Sequence, residues 1–352
     1  AEAAKPQPRE ERTSDYLQME ELSIHFGEGL LRMISGDQGQ GHIGERIKRL
    51  RRRLAGEYGF VMPNVTLRDA PGAMPENRYS VLVQNVEVDG AELRMDKVLA
   101  IGEGVQNSSL PGETTTEPTF GLPAKWISKE DKEEAEDEYF VVTPDTVVVT
   151  HFGEVVKNHM PHLLTYAAAK SLLDEVPSPH RKTIDDLVPG VVKVVTVRKV
   201  MAELLKERVS IRNLPAIVEA IGELGAGVSD VQQITEYVRN KLSLQISRSV
   251  VDPNEKAIVA IQMSRPWEEA FQGAIDDQGA LALAPNKTQD FVKRAREVVN
   301  AETENGRNPV VLVSKRIRPF VKDFMSHISA TTPVIAYEEL DRRVSLKTVG
   351  QI

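Results

Sequence analysis

LPGETTTEPTFGLPAKWI, residues 110–127, runs into the acidic segment SKEDKEEAEDE at 128–138 and then into YFVVTPDTVVVT at 139–150. In the first of these, Pro111, Gly112, Pro118, Gly121 and Pro123 alternate with Leu110, Phe120, Leu122, Trp126 and Ile127. Turn formers restrict the backbone, so apolar side chains pinned between them have little freedom to withdraw from water, as in a rigid docking loop. Composition alone favours the plainer alternative, a long loop that Phe120 and Trp126 anchor to the core. The acidic segment suits a short helix or a solvated run. The β-branched residues beyond it predict two short strands about a Thr143–Pro144–Asp145 turn.

Working outward, 352 residues exceed one ordinary core and imply two to four domains. With 41% hydrophobic and 27% charged residues, the chain has the balance of a water-soluble protein, and no stretch nears the roughly 20 apolar residues of a membrane span. Cysteine is absent, which excludes disulfides and thiolate chemistry. A net charge of -8 argues against general nucleic-acid binding. The first 15 residues, AEAAKPQPREERTSD, lack the apolar core of a signal peptide and begin without methionine, which suggests a piece of something longer. Residues 1–16 are polar and proline-bearing, as in a linker.

From Tyr16, LSIHF alternates as a strand, and GDQGQG leads into a helix over His42–Glu57 with Ile43, Ile47, Leu50 and Leu54 on one face. Its basic residues, Arg46 to Arg53, fit a solvated face better than a nucleic-acid site, because no aromatic residues interleave for base stacking. GDQGQG is followed by His42 and Ile43 rather than by the Lys and Ser or Thr of a phosphate loop, so it reads as a loop without a ligand. GFVMPNVTLRD, NRYSVLVQNVEV and AELRMDKVLAIGEG continue as strands of an α/β module. His151, His159 and His162 do not follow HExxH spacing and have no aligned acid as a third ligand. His151 is expected just ahead of a second helix.

Residues 171–251 are helical throughout. Val197, Val200, Met201, Leu204 and Leu205 share one face, Asn213 and Pro215 open a second helix, and Ser229 with Gln232 has capping-box spacing at a third. The last hundred residues alternate strand and helix, from AIVAIQM to RRVSLKTV, as a final α/β domain.

In their order, GFVMPNVTLRD, LPGETTTEPTFGLPAKWI, TPDTVVVTHFGEVVKNH, KVMAELLKERVSIRNLPAIVEAI and PVVLVSKRIRPFV resemble the cytoplasmic portion of the FlhA (FHIPEP) family, export-gate proteins of flagellar type III secretion. The virulence-secretion relatives share the architecture, but the stretch at 110–127 resembles the flagellar branch more. The resemblance implies a multidomain α/β and α fold after the linker. A first α/β subdomain at 17–95 and 144–164 would be interrupted by a small second one at 96–143, with a helical third at 165–245 and an α/β fourth at 246–352.

It also implies a docking platform on the cytoplasmic side of the bacterial inner membrane that receives export chaperones with late substrates. Other expected partners are export-apparatus proteins, including the ATPase complex, and further copies of the chain in a nonameric ring, with no nucleic acid. The full-length protein would be integral to the membrane. No catalytic residue, metal or cofactor is expected. Carried over by motif, the partner-binding residues would be Glu117, where the family usually has aspartate, with Phe120 and Thr150, and with Pro118 and Leu122 beside them. Trp126 and Ile127 would secure the loop from beneath. Two other classes remain as contrasts: an enzyme using GDQGQG or the histidines, and a nucleic-acid binder using Arg46–Arg53.

Overall fold

The computed structural model describes residues 19–34, 42–225 and 227–352, and within it the chain forms two compact units that divide between Leu164 and Thr165. The segments expected as a linker, at 1–16, and as a loop, GDQGQG, lie outside the described residues.

The first unit is built on two four-stranded sheets. In one, β1 (Leu22–Phe26) pairs in parallel with β2 (Thr66–Asp69) and antiparallel with β3 (Arg78–Val83), which pairs with β4 (Val86–Glu92). Gln84 and Asn85, both at positive φ, turn β3 into β4, the geometry that a two-residue hairpin needs to match strand twist. Helix α1 (His42–Tyr58) buries Ile43, Ile47, Leu50 and Leu54, the face read from sequence.

The second sheet has the order β6-β7-β5-β8, from β5 (Lys97–Ile101), β6 (Gly112–Thr116), β7 (Pro123–Ser128) and β8 (Phe140–Val142), with every pairing antiparallel. Helix α2 (Lys132–Glu136) takes the acidic run between β7 and β8. Val98, Ala100, Val105, Leu110, Ile127 and Ala135 form the core under this sheet.

Two expectations are corrected here. The segment at 110–127 is a β-hairpin rather than an irregular loop, since its threonines pair along β7: Thr114 opposite Lys125, Thr115 opposite Ala124, Thr116 opposite Pro123. Likewise, TVVVT is not a second strand. Helix α3 (Pro144–Leu163) begins at Pro144, which has no N–H to lose in the first turn. Val147, Val148, His151, Phe152, Val155 and Val156 are buried at helical spacing, so His151 and Thr150 lie within the helix. Burying a full helical face outweighs the few tenths of a kcal/mol by which valine disfavours a helix. Helix α3 packs on α1, β3 and β5, and Gly153 lies where a Cβ would stand 3.2 Å from Leu50 Cδ1.

The second unit opens with helices α4 (Tyr166–Asp174), α5 (Arg181–Leu187), α6 (Val194–Lys206), α7 (Leu214–Leu224), α8 (Val231–Lys241) and α9 (Ser243–Ser249). All five residues assigned to one face of α6 are buried, and Asn213 Oδ1 accepts from the Ala216 N–H as the cap of α7. The cap of α8 is Asp230, not Ser229. Its carboxylate accepts from the Gln232 N–H at 3.0 Å, one residue later than the capping-box spacing suggested.

A parallel sheet of order β11-β10-β9-β12 follows, from β9 (Ile258–Gln262), β10 (Val310–Val313), β11 (Val334–Ala336) and β12 (Leu346–Gln351). Helices α10 (Arg265–Gly273), α11 (Pro285–Glu304) and α12 (Arg318–Ile328) connect its strands. Phe271 and Phe291, 5.0 Å apart between ring centroids, anchor a core with Ile261, Val311, Val321 and Met325.

Candidate docking surface

The tip of the β6–β7 hairpin is closed by backbone and then fixed by one side chain. The Glu117 N–H donates to the Leu122 carbonyl at 2.8 Å, and the Gly121 N–H donates to the Glu117 carbonyl at 3.0 Å. Gly121 sits at φ 71°, a left-handed conformation that a Cβ would strain. Inside this turn the Glu117 carboxylate folds back, Oε1 accepting from the Thr119 N–H and Oε2 from the Phe120 N–H, each at 2.8 Å. Both oxygens are thereby engaged, and the residue is only 5% exposed.

This self-capped turn holds its apolar side chains outward. Phe120 is 58% exposed and Leu122 44%, with Pro118 half-buried between Glu117 and the tip. Beneath them the strand is anchored on both faces. Ile127 pairs with Val98 and joins the core under the sheet, while Trp126 pairs with Leu99 and is buried on the opposite face. Lys125 is buried as well, and its Nζ donates to the carbonyls of Ser108 and Leu110 at 3.2 and 3.1 Å, tying down the segment that leads into β6. Trp126 is thus buried and Phe120 displayed, a difference that composition alone did not draw and that the family resemblance implied.

The structure brings Glu117, Pro118, Phe120 and Leu122 together in one turn. Thr150 comes from elsewhere, exposed on α3, the helix that packs on β5, and among the described residues no hydrogen bond joins it to the hairpin. Its neighbour His151 is buried, with Nδ1 2.7 Å from the Tyr79 hydroxyl and Nε2 3.2 Å from Asp89 Oδ2. Burial pushes the Tyr79 hydroxyl well above its ordinary pKa, and the negative charges of Asp89 and Glu117 add to the shift. The Tyr79 hydroxyl therefore stays protonated, and its hydrogen bond with His151 Nδ1 ties α3 to β3.

Sequence reasoning passed over Phe140, which is 70% exposed at the start of β8. Its partner Ile101 pairs in turn with Ala124, so the three stand in one row across the sheet at the end that bears the hairpin tip. Only strand pairing reveals that row.

The remaining sequence-level sites resolve differently. On α1, Arg46 pairs with Asp145 at 3.1 Å, Lys48 with Glu45, and Arg51 with Asn64 Oδ1. His159 Nδ1 is 2.8 Å from the Val155 carbonyl, and among the described residues no three His, Asp or Glu side chains gather as a metal site. No described helix is long and apolar enough to cross a membrane.

Comparison with known proteins supplies the context. The FHIPEP family model matches residues 1–345. The chain belongs to the FHIPEP family. Within FHIPEP it is 38% identical over 356 residues to the flagellar biosynthesis protein FlhA of Caulobacter vibrioides, covering 100% of this chain and 50% of that protein. To the FlhA of Bacillus subtilis it is 32% identical over 340 residues, covering 96% and 50%. The chain thus spans about half the length of the curated FHIPEP relatives it matches.

Among solved structures, the Chlamydia pneumoniae CdsV protein shares the fold with a TM-score of 0.80 at 22% identity, covering 94% of this chain and 97% of that one. CdsV in complex with CdsO superposes with a TM-score of 0.79 at 21% identity, covering 95% and 97%. Nonameric EPEC SctV-C gives 0.73 at 18%, covering 95% and 98%. These likenesses establish the multidomain α/β fold.

Proposed function

We propose that this chain is the cytoplasmic docking platform of a flagellar type III export gate, receiving complexes of export chaperones with late substrates and helping to order their export. The observation that carries this reading is the Glu117-capped hairpin tip, which holds Phe120 and Leu122 in solvent on a rigid turn. An exposed aromatic that cannot collapse onto its own protein is a suitable centre for a transient interface, because little side-chain or loop entropy is lost on binding. Identity to flagellar relatives favours this role over the equivalent component of a virulence system.

In this reading Phe120 and Leu122 touch the partner, Pro118 stiffens the turn, and Thr150 contributes from α3. Glu117 acts as a positioning residue, since both carboxylate oxygens are committed to loop amides. The sheet of β5–β8 forms the inserted second subdomain, the sheet of β1–β4 with α1 and α3 the first, the helices from α4 the third, and the parallel sheet the fourth. The platform is non-enzymatic, lies on the cytoplasmic side of the inner membrane as part of a longer integral membrane protein, and associates into a ring. Nonameric SctV-C supports the ring, and the complex of CdsV with CdsO supports contact with a further apparatus protein; the ATPase complex is proposed as another partner.

Binding of a purified flagellar chaperone–cargo complex to the chain and to Phe120→Ala tests the proposal by titration calorimetry. Loss of an interface hot spot weakens binding about tenfold or more. Equal affinities would remove Phe120 from the site.

A further inference from the structure

Two arginines in the second unit are more deeply buried than charge ordinarily permits, and each crosses from one layer to the other. Arg318 begins α12, in the layer of the parallel sheet, and is 1% exposed. Its guanidinium reaches into the helical layer. Nη1 and Nη2 donate to Glu207, the C-cap residue that follows α6, at 2.7 and 3.0 Å, and Nε donates to Glu236 of α8 at 2.8 Å, with Nη2 also on Glu236. Arg239 runs the other way. It belongs to α8, is 2% exposed, and donates from Nε and Nη2 to Glu339, in the turn after β11, at 2.7 and 3.1 Å, and from Nη1 to Glu207 at 3.1 Å.

The acceptors are themselves held. Glu339 Oε2 also accepts from the Ala336 N–H at 2.7 Å, and the Glu339 carbonyl accepts from Ser247 Oγ of α9 at 2.5 Å. Ser247 Oγ in turn accepts from the Asp341 N–H at 2.8 Å.

We infer that Arg239 and Arg318 form a crossed latch that fixes the register of the helical layer against the parallel-sheet layer, so that the two layers of the second unit move as one body. Buried ion pairs add little net stability over apolar side chains of the same volume, because desolvation offsets most of the attraction. What they impose is geometry. A guanidinium is a planar fork that matches a carboxylate in one orientation, and two forks planted in opposite layers with Glu207 between them leave neither sliding nor rotation without unpairing a buried charge. Lys322, one turn beyond Arg318 and half-buried, lies within the same field: burial depresses its pKa, and the charge of Glu207 opposes that effect.

This inference does not depend on the docking proposal, and its test involves no partner. The absence of cysteine allows nitroxide labels at Lys199→Cys on α6 and Lys293→Cys on α11, both exposed, with the distance distribution between them read by pulsed electron resonance. The otherwise unaltered chain should give one narrow distribution. Replacing Arg239 and Arg318 by Met together with Glu207, Glu236 and Glu339 by Gln should leave a cooperative melt but broaden or shift the distribution. If that variant does not fold, Arg239→Lys, which keeps the charge and loses the fork, should still broaden it. A distribution as narrow as the parent's in whichever of these variants folds would overturn the latch and assign the register to apolar packing.

Discussion

Glu117 and Phe120 divide one task between them. The carboxylate organises two loop amides, and the ring is then presented to solvent. Replacing Glu117 with Ala leaves those N–H groups without their acceptor, so Thr119 and Phe120 should exchange amide hydrogen faster by NMR, with a stability loss of about 1 kcal/mol. Unchanged protection at both amides would show that the backbone alone holds the turn. Phe120→Ala should separate binding from stability, weakening partner affinity while moving unfolding free energy by less than about 0.5 kcal/mol, as expected for an exposed side chain. The exposure of Phe120 was not legible in composition, which favoured it as an anchor; only the family resemblance set it apart from Trp126. The capping role of Glu117 was not legible either, because a bond to amides two and three residues ahead depends on a turn geometry that Glu-Pro-Thr-Phe does not specify. The same limit hid Phe140, whose exposure follows from its place on the outer strand of a sheet.

At the scale of elements, the two misread segments have one physical cause. Pro and Gly around 110–123 suggested an irregular loop, yet the intervening threonines are good strand formers and pair once β7 is beside them. The valines after Pro144 suggested a strand, yet they face α1, β3 and β5, and tertiary burial overrode local preference. By contrast, α1 and α6 were legible because their apolar residues keep helical spacing amid charge. The crossing of α3 over α1 supplies a prediction. Leu50 Cδ1 leaves 3.2 Å for a Cβ at Gly153, so Gly153→Leu overpacks the contact and should cost about 1–3 kcal/mol in denaturant unfolding. No loss of stability would mean that the helices separate freely at that point.

For the molecule as a whole, the order of motifs carried the family and the multidomain fold, while the ionic network of the second unit was invisible in sequence because its members lie up to 132 positions apart, from Glu207 to Glu339. Its pH dependence follows from Glu207. Burial alone would raise this carboxyl, but Arg239 and Arg318 outweigh that effect and bring it to about 2, below the ordinary 4.5. A depressed folded-state value contributes stability that is present above the unfolded value and lost as pH falls through the folded one. The contribution of this group to the melting temperature of the second unit should therefore be level from pH 8 to 5 and decline below about pH 4.5 in calorimetry. Glu207→Gln should flatten that decline, and an equal acid decline in the variant would assign it to other carboxylates.

The central claim is that a partner docks on the hairpin tip of the first unit. A photo-crosslinking amino acid at Leu122, compared with one at Leu346 on β12 of the second unit, tests it most directly, since both positions are exposed to a similar degree. With a purified flagellar chaperone–cargo complex, covalent adducts should form from position 122 and not from 346. Adducts from 346 with none from 122 would contradict the account.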